Sequence, residues 1–261
     1  MKSYRQIEGK NPVREALSGR FHVAEVLLAE GLKRDRTLQQ IVDLAGAQHR
    51  PADLRWVKRE VIDGRAESRS HQGVMALGEP IGYAGLADIM DLADSRRQSP
   101  LVLILDRIQD PQNLGAILRV AECSGAHGVI IPKRRAAGIS PTVSKASAGA
   151  IEHVPMALVT NLVRTVEELK ERGLWICGAG SSQDRPYYEQ DLTGPLAIVI
   201  GSEGEGIARL LLEHCDFLVG IPLAGRVESL NAATASAVIT FDALRQRQTG
   251  DRSIGQTDQK G

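Results

Sequence analysis

This chain has few aromatic side chains and no net charge. Of its 261 residues only 3% are Phe, Tyr or Trp, and 32 Lys and Arg balance 32 Asp and Glu. This balance argues against a strongly basic coat for nucleic acid, although residues 1–77 carry 14 basic against 10 acidic side chains. Any attraction to phosphate is therefore expected in that N-terminal part or in local patches.

Long apolar runs and paired cysteines are also missing. No stretch approaches the roughly 18 apolar residues that span a bilayer, and the opening MKSYRQIEGK lacks the apolar segment of a secretory signal. Cys123, Cys177 and Cys215 form no CxxC pair, so neither a disulfide framework nor a zinc site is indicated. We expect a cytoplasmic protein without membrane association or bound metal, whose cysteines are small core residues.

The remaining composition, 43% hydrophobic and 25% charged, is sufficient for a sizeable core. Short apolar runs alternate with helical stretches in residues 1–77, which predicts a small α/β domain, and residues 78–100 are interpreted as a linker. In residues 101–248 near-continuous apolar strands alternate with helices, which predicts a parallel sheet covered on both faces. Residues 249–261 contain almost no apolar side chains and are predicted to be disordered.

Glycine, asparagine, serine and charge concentrate in three segments of the second domain. They are residues 110–119 (DPQNLGAILR), 198–207 (IVIGSEGEGI) and 221–238 (IPLAGRVESLNAATASAV). Each segment is a strand end or a loop that leads into an apolar helix, the context in which α/β proteins build binding sites.

The glycine-rich loop of residues 201–206, GSEGEG, matches neither of the common phosphate-binding motifs, GxGxxG and GxxxxGK[ST]. Glu203 and Glu205 place negative charge where a nucleotide would bring phosphates, which disfavours a phosphate cradle. A ligand with a cationic sulfonium and no phosphate meets no such repulsion. A structural turn whose acids favour a helix N-terminus explains the same residues equally well.

The other two segments supply polar residues at helix starts. Asn113 is predicted as a helix N-cap, and Ser229 or Asn231 is expected to cap the long Ala-rich helix that follows. Arg119 lies in the second turn of an otherwise apolar helix, where a guanidinium must pair, reach solvent or line a site. A cap and a surface arginine remain adequate explanations for these residues taken singly.

Taken together, NLGAILR, GSEGEG and SLNAATA resemble the three motifs of the SpoU (TrmH-like) branch of the SPOUT RNA 2'-O-ribose methyltransferases. GKNPVREAL and HQGVMAL are similar to the substrate-binding domain, related to ribosomal protein L30e, of the subgroup that methylates guanosine in 23S rRNA. The resemblance implies an α/β fold with a parallel-sheet SPOUT domain, a deep trefoil knot and a small N-terminal L30e-like domain. It also implies a homodimer with its sites at the interface.

The resemblance assigns roles to individual residues. The catalytic motif positions fall on Asn113, Arg119, Glu203, Ser229 and Asn231. Contacts with the cofactor, S-adenosylmethionine, fall on Gly201, Ile221 and Leu230. The implied reaction is 2'-O-methylation of a guanosine ribose in 23S rRNA. We interpret Arg119 as a phosphate clamp that stabilises oxyanion charge, because a guanidinium does not readily act as a base.

RNA recognition with so few aromatic residues is expected to depend on Arg and Lys, and Arg5, Lys10 and Arg14 are candidates. The same catalytic motifs would also serve a tRNA 2'-O-methyltransferase that acts on a loop guanosine. A non-catalytic RNA-binding protein of ribosome assembly is a further alternative, and the acidic loop disfavours a small-molecule enzyme that uses a nucleotide. The N-terminal domain favours rRNA as the substrate.

Overall fold

The computed structural model describes residues 4–67, 70–181, 184–227 and 229–254. The chain forms two units. The first comprises Met1–Gly82 with Ala148–His153, and the second comprises Tyr83–Ser147 with Val154–Gly261.

The first unit is a four-stranded sheet with helices. Its elements are β1 (Arg5–Glu8), α1 (Lys10–Ser18), β2 (Val23–Ala29), α2 (Arg36–Ala47), β3 (Asp53–Val57), α3 (Arg59–Asp63) and β4 (Val74–Gly78). The strand order is β1-β4-β2-β3, with β2 and β3 parallel and the other pairs antiparallel. The apolar faces of α1 and α2 pack on β2 and β4. This alternation of strands and helices agrees with the small α/β domain that the sequence predicts for residues 1–77. The short β1 has a single apolar residue, Ile7.

The second unit is built on a six-stranded sheet in the order β10-β8-β9-β5-β6-β7. Its strands are β5 (Leu101–Leu105), β6 (Gly128–Pro132), β7 (Met156–Val159), β8 (Trp175–Ala179), β9 (Leu196–Ile200) and β10 (Phe217–Val219). Its helices are α4 (Leu86–Arg96), α5 (Pro111–Cys123), α6 (Pro141–Ala146), α7 (Leu162–Glu171), α8 (Arg209–Leu212) and α9 (Ala232–Ile254). Every neighbouring pair of strands is parallel, as predicted.

The two central strands of this sheet, β5 and β9, are buried on both faces because they are apolar throughout. All five residues of β5 and all five of β9 are buried. Since successive side chains of a strand point to opposite faces, Val102 and Ile104 pack with α4, α7 and α8. The helices α5 and α9 pack against each other and contact β6 and β9 respectively.

The segment predicted as a linker differs from that expectation. Residues 83–100 belong to the second unit, and α4 within them places Ile89, which is fully buried, in one core cluster with Val102. Residues that favour a linker in the sequence, Pro80, Gly82, Gly85 and Pro100, flank this helix. Its apolar positions supply enough buried surface to make it part of the domain.

The C-terminal helix is longer than predicted. Helix α9 continues to Ile254, so residues 249–254 are helical although the sequence predicted disorder from residue 249. Extending an existing helix avoids the cost of nucleating a new one, so polar residues can join its end. Arg247 anchors this end by donating hydrogen bonds to the carbonyl oxygens of Ser99 at 2.7 Å and Gly194 at 2.6 Å. Residues 255–261 of the predicted tail lie outside the described residues.

Within the described part of the chain, no helix has both the length and the hydropathy to cross a bilayer. The same residues contain no group of three or more His, Cys, Asp or Glu side chains arranged to hold a metal ion. Strand order alone does not show whether the chain passes through one of its own loops, so the trefoil knot stays a prediction.

Candidate active site

The loops that follow β5 and β9 meet at one edge of the sheet. The two strands are neighbours, with Leu105 opposite Ile200, and their carboxyl ends therefore point the same way. Helix α5 starts here with Asp110 as its N-cap, whose carboxylate accepts a hydrogen bond from the Gln112 amide at 2.9 Å, and with Pro111 in its first turn. The prediction of Asn113 as N-cap was wrong. Its side chain is left for another role.

Three side chains, one from each motif segment, bind one another at this edge. The amide nitrogen of Asn113 donates to Glu203 Oε1 at 2.8 Å. The amide nitrogen of Asn231 donates to the same oxygen at 2.6 Å and to Asn113 Oδ1 at 2.8 Å. The structure thus brings together three of the residues that the sequence assigned to catalysis.

Asn231 has a second task at the start of α9. Its Oδ1 accepts hydrogen bonds from the backbone amides of Ala233 at 2.9 Å and Thr234 at 3.3 Å. The predicted capping role is therefore confirmed for Asn231. Because the cap fixes the side chain, its amide nitrogen is oriented toward Glu203 by the helix itself.

The loop of residues 201–206 is a tightly closed turn. A Cβ on Gly201 would lie 2.1 Å from the carbonyl carbon of Gly206 and 2.3 Å from the amide nitrogen of Ile207, so only glycine fits. The Gly206 amide donates to the Ser202 carbonyl at 2.9 Å and closes the turn. The turn carries Glu203 toward the two asparagines.

Arg107 links the two loops, and the sequence did not predict it as a site residue. Its guanidinium pairs with the carboxylate of Glu205 and donates to the Gly206 carbonyl at 3.1 Å. Its Nε lies 3.4 Å from Asp106 Oδ2, which accepts a hydrogen bond from the Ala208 amide at 2.7 Å. A signal was present, because Asp106 and Arg107 directly follow a fully apolar strand, where site residues are expected.

A cleft of about 360 Å³ lies over this network. It is lined by Arg107, Ile108, Gln109, Asp110, Asn113, Ser202, Glu203 and Asn231. Its volume lies near the lower end of the range for small-ligand sites. Every lining residue comes from the loops after β5 and β9 or from the starts of α5 and α9.

The other predicted site residues lie outside this cleft. Arg119 is exposed on α5 and interacts with the thiol of Cys123, one turn further along the helix. Ser229 is exposed and follows a residue outside the described ranges. The residues predicted to contact the cofactor are half-buried and do not line the cleft; they are Gly201, Ile221 and Leu230.

The residues present fit a cationic adenosine cofactor. The charged residues among the described lining are Arg107, Asp110 and Glu203, and Arg107 is already neutralised by Glu205. The lining is therefore net acidic, which favours a sulfonium and disfavours a phosphate.

The basic candidates of the first unit are all engaged in ion pairs. Arg5 contacts the buried Glu152 at 2.5 Å, and Lys10 contacts Asp35 at 2.5 Å. The hydrogen bond from Lys10 holds the pKa of the Asp35 carboxyl below its ordinary value. Arg14 pairs with its neighbour Glu15. Their charges are thus partly compensated within the unit.

Comparison with known proteins identifies the two units separately. The SpoU rRNA Methylase family matches residues 100–241, and a domain described as RNA 2'-O ribose methyltransferase substrate binding matches residues 6–84. A 23S rRNA (guanosine-2'-O-)-methyltransferase, RlmB, of Ralstonia nicotianae is 46% identical over 221 residues, 84% of this chain and 86% of that protein. RlmB of Pseudomonas putida is 43% identical over 226 residues, 87% and 90% of the two proteins.

Solved structures agree with this picture. The SpoU methyltransferase AviRb from Streptomyces viridochromogenes, in complex with AdoMet, superimposes with a TM-score of 0.74 at 24% identity and covers 94% of this chain and 91% of AviRb. The TrmH/SpoU tRNA modifying enzyme of A. aeolicus gives a TM-score of 0.54 at 27% identity and covers 62% of this chain and 84% of its own.

The fold and the site define a two-domain RNA methyltransferase. The chain belongs to the SpoU rRNA methylase family. The predicted family, the α/β fold with its parallel sheet, the enzyme class and the cofactor S-adenosylmethionine are confirmed.

Proposed function

We propose that this enzyme methylates the 2'-hydroxyl of a guanosine ribose in 23S rRNA. The observation that carries the proposal is the meeting of Asn113, Glu203 and Asn231, one from each motif, in a single cleft. The names of the RlmB relatives, which are 43% and 46% identical, support 23S rRNA and guanosine as the substrate.

The N-terminal unit favours rRNA over tRNA. The RlmB relative of Ralstonia nicotianae aligns with 84% of this chain, which requires residues from both units. The A. aeolicus tRNA modifying enzyme covers only 62% of this chain, although 84% of that enzyme is matched. A substrate that needs an added RNA-binding domain is better explained by rRNA, and a tRNA loop guanosine is the alternative.

The cofactor supplies an electrophilic methyl group on a cationic sulfur. The chain has to hold the ribose so that its 2'-oxygen is in line with that methyl group, since alignment contributes much of the rate acceleration. Glu203 suits this task because both amides of the network bind its Oε1, which leaves Oε2 to accept a hydrogen bond from a ribose hydroxyl. The asparagines act as positioning residues for this carboxylate.

Arg119 is assigned to the phosphate of the target nucleotide, where its charge also stabilises developing negative charge on the 2'-oxygen. In one chain it does not line the cleft, and it lies on an exposed part of α5. A homodimer resolves this separation. Helices α5 and α9 pack together, and Phe241 on α9 is 42% exposed, which suits an apolar contact with a second copy.

In this arrangement Arg119 of one protomer completes the site of its partner, with Ser229 nearby. Gly201, Ile221 and Leu230 would hold the cofactor, largely through backbone atoms. We place the reaction in the cytoplasm, where unmodified rRNA is available.

The test is to incubate the purified enzyme with labelled S-adenosylmethionine and either unmodified 23S rRNA or bulk tRNA, and then to map the methyl group. Incorporation at the 2'-oxygen of one 23S guanosine is expected. Incorporation into tRNA alone would overturn the substrate. Cofactor binding by calorimetry without transfer to naked RNA or to partly assembled large-subunit particles would overturn the catalytic role and favour a ribosome-assembly protein.

A further inference from the structure

A second cleft, of about 340 Å³, opens at the same edge of the parallel sheet, beyond the carboxyl ends of β5, β6 and β7. Its lining includes Arg107, Pro132, Arg134, Arg135, Leu162 and Leu210. Arg107 lines both clefts, so the two clefts are adjacent. None of the residues assigned to catalysis or to cofactor binding lines this second cleft.

The rim of the second cleft is basic. Lys133, Arg134 and Arg135 follow β6 directly, and all three are exposed. Within the described ranges none of them has an ion-pair partner within 4.0 Å. The carboxylate in the lining, Asp106, is buried, accepts a hydrogen bond from the Ala208 amide and lies beside the Arg107 guanidinium. Asp106 is therefore not available to neutralise the rim.

The backbone that carries these cations is held at both ends. The Lys133 amide donates to the Val159 carbonyl at 2.8 Å, and the Ala137 amide donates to the Ile108 carbonyl at 2.8 Å. Arg135 adopts a left-handed backbone conformation, with φ of 58°. Such a conformation is uncommon for a residue with a side chain and often occurs at functional sites. The loop thus presents its charges in a defined place.

The floor of the cleft is apolar. Leu162 and Leu211 are buried beneath it, whereas Leu210 is 56% exposed and Pro132 is half-buried. An exposed leucine beside unpaired arginines offers two kinds of contact at once. The apolar surface suits the face of a base, and the guanidinium groups suit phosphate oxygens.

We propose that this second cleft binds a nucleotide that flanks the methylated one, with its phosphates on Arg134 and Arg135 and its base on Leu210. The inference rests on the proposed function, since it takes the RNA strand whose target ribose reaches Glu203 in the first cleft and extends that strand past Arg107. It assigns RNA binding to the catalytic unit itself, in addition to the substrate-binding domain.

The test compares a double variant, Arg134→Ala with Arg135→Ala, with a matched control, Arg96→Ala with Arg172→Ala. The control removes the same charge at the opposite edge of the sheet, because Arg96 ends α4 and Arg172 follows α7, shortly before β5 and β8 begin. Affinity for a labelled single-stranded fragment of the target RNA is measured by fluorescence anisotropy at several salt concentrations. Affinity for S-adenosylmethionine is measured by calorimetry.

Loss of two phosphate contacts should weaken RNA binding at least about tenfold at low salt and lower the slope of log affinity against log salt by about 1.4. The control should keep the wild-type slope. In methyl transfer, KM for RNA should rise about tenfold while kcat stays within about threefold. A charge-preserving variant, Arg134→Lys with Arg135→Lys, should retain the slope, and Leu210→Ser should weaken binding without changing the slope.

Unchanged RNA affinity and slope in the alanine variant would overturn the proposal, as would a loss of kcat with RNA affinity intact. A wild-type enzyme that transfers no methyl group to any RNA would overturn the proposed function instead. The binding isotherms decide the role of the cleft in that case too, because they need no turnover.

Discussion

The side-chain amide of Asn231 donates a hydrogen bond to Glu203 at 2.6 Å while its Oδ1 caps helix α9. One residue therefore starts a helix and positions a carboxylate. Because these tasks use different atoms of the amide, substitutions can separate them.

Asn231→Asp should preserve the helix cap but lose the hydrogen bond to Glu203. The new carboxylate still accepts from the Ala233 amide, but it faces Glu203 as a like charge. Methyl transfer should fall at least about 100-fold, with the free energy of unfolding within about 1 kcal/mol of wild type. Asn231→Ala should lose transfer similarly and also lose about 1 kcal/mol of stability. Urea unfolding and initial rates measure both, and near-normal transfer by the Asp variant would contradict the assignment.

Gly201→Ala should disrupt the loop that we propose holds the cofactor. The added Cβ would meet the backbone of Gly206 at 2.1 Å, and backbone cannot move aside as a side chain can. We expect a loss of at least about 2 kcal/mol of stability and loss of detectable S-adenosylmethionine binding in calorimetry. Gly204→Ala is the matched control, since nothing lies within 4 Å of its Cβ. Equal cofactor affinity in the two variants would show that the closed turn is unimportant.

The sequence was sufficient to predict the parallel sheet and the three converging segments. Uninterrupted apolar strands such as β5 and β9 are typical of a parallel sheet that is buried on both faces. The carboxyl ends of neighbouring parallel strands lie at the same edge of the sheet. It was insufficient for Arg107, because its partners Glu205 and Gly206 lie about 100 residues away and become neighbours only through strand order. It misplaced the start of α5 for a local reason, since Asp110 and Asn113 are both good caps and only the backbone decides between them.

Arg119→Ala should abolish methyl transfer and leave affinity for S-adenosylmethionine within a few fold. If Arg119 acts in the partner's site, mixing this variant with Asn113→Ala should restore about a quarter of wild-type activity, because mixed dimers contain one intact site. Each variant assayed alone is the control. Failure of the mixture to regain activity, with subunit exchange verified by mass, would place both residues in the site of one chain.

Phe241→Asp should weaken the proposed homodimer. Phe241 is 42% exposed on α9, so a charge there is tolerated in the folded chain but costly in an apolar interface. Sedimentation should show a shift from dimer toward monomer with unchanged circular dichroism, and transfer should fall with it. A wild-type enzyme that sediments as a monomer would refute the interface.

His127 should make stability depend on pH below neutrality. The ring is 1% exposed, its Nδ1 accepts from the Leu101 amide at 3.0 Å, and Nε2 lies 3.1 Å from the side-chain oxygen of Gln98. Burial, together with the charges of Arg96 and Arg247, lowers the pKa of His127 to about 4 from an ordinary 6.5. The unfolded chain therefore takes up this proton first as the pH falls.

The neutral His127 ring should therefore make its full contribution to the free energy of unfolding above pH 6.5. As the pH falls from 6.5 to 4, the free energy of unfolding should decrease by on the order of 3 kcal/mol. His127→Gln can keep a hydrogen bond to Leu101 but has no titrating group, so its free energy of unfolding should change less over this window. Carboxyls with lowered pKa, such as those of Glu15 and Asp35, add a loss at lower pH in both proteins. Urea titrations at intervals from pH 7 to 4 measure the difference, and parallel curves for the two proteins would show that His127 does not titrate as its burial implies.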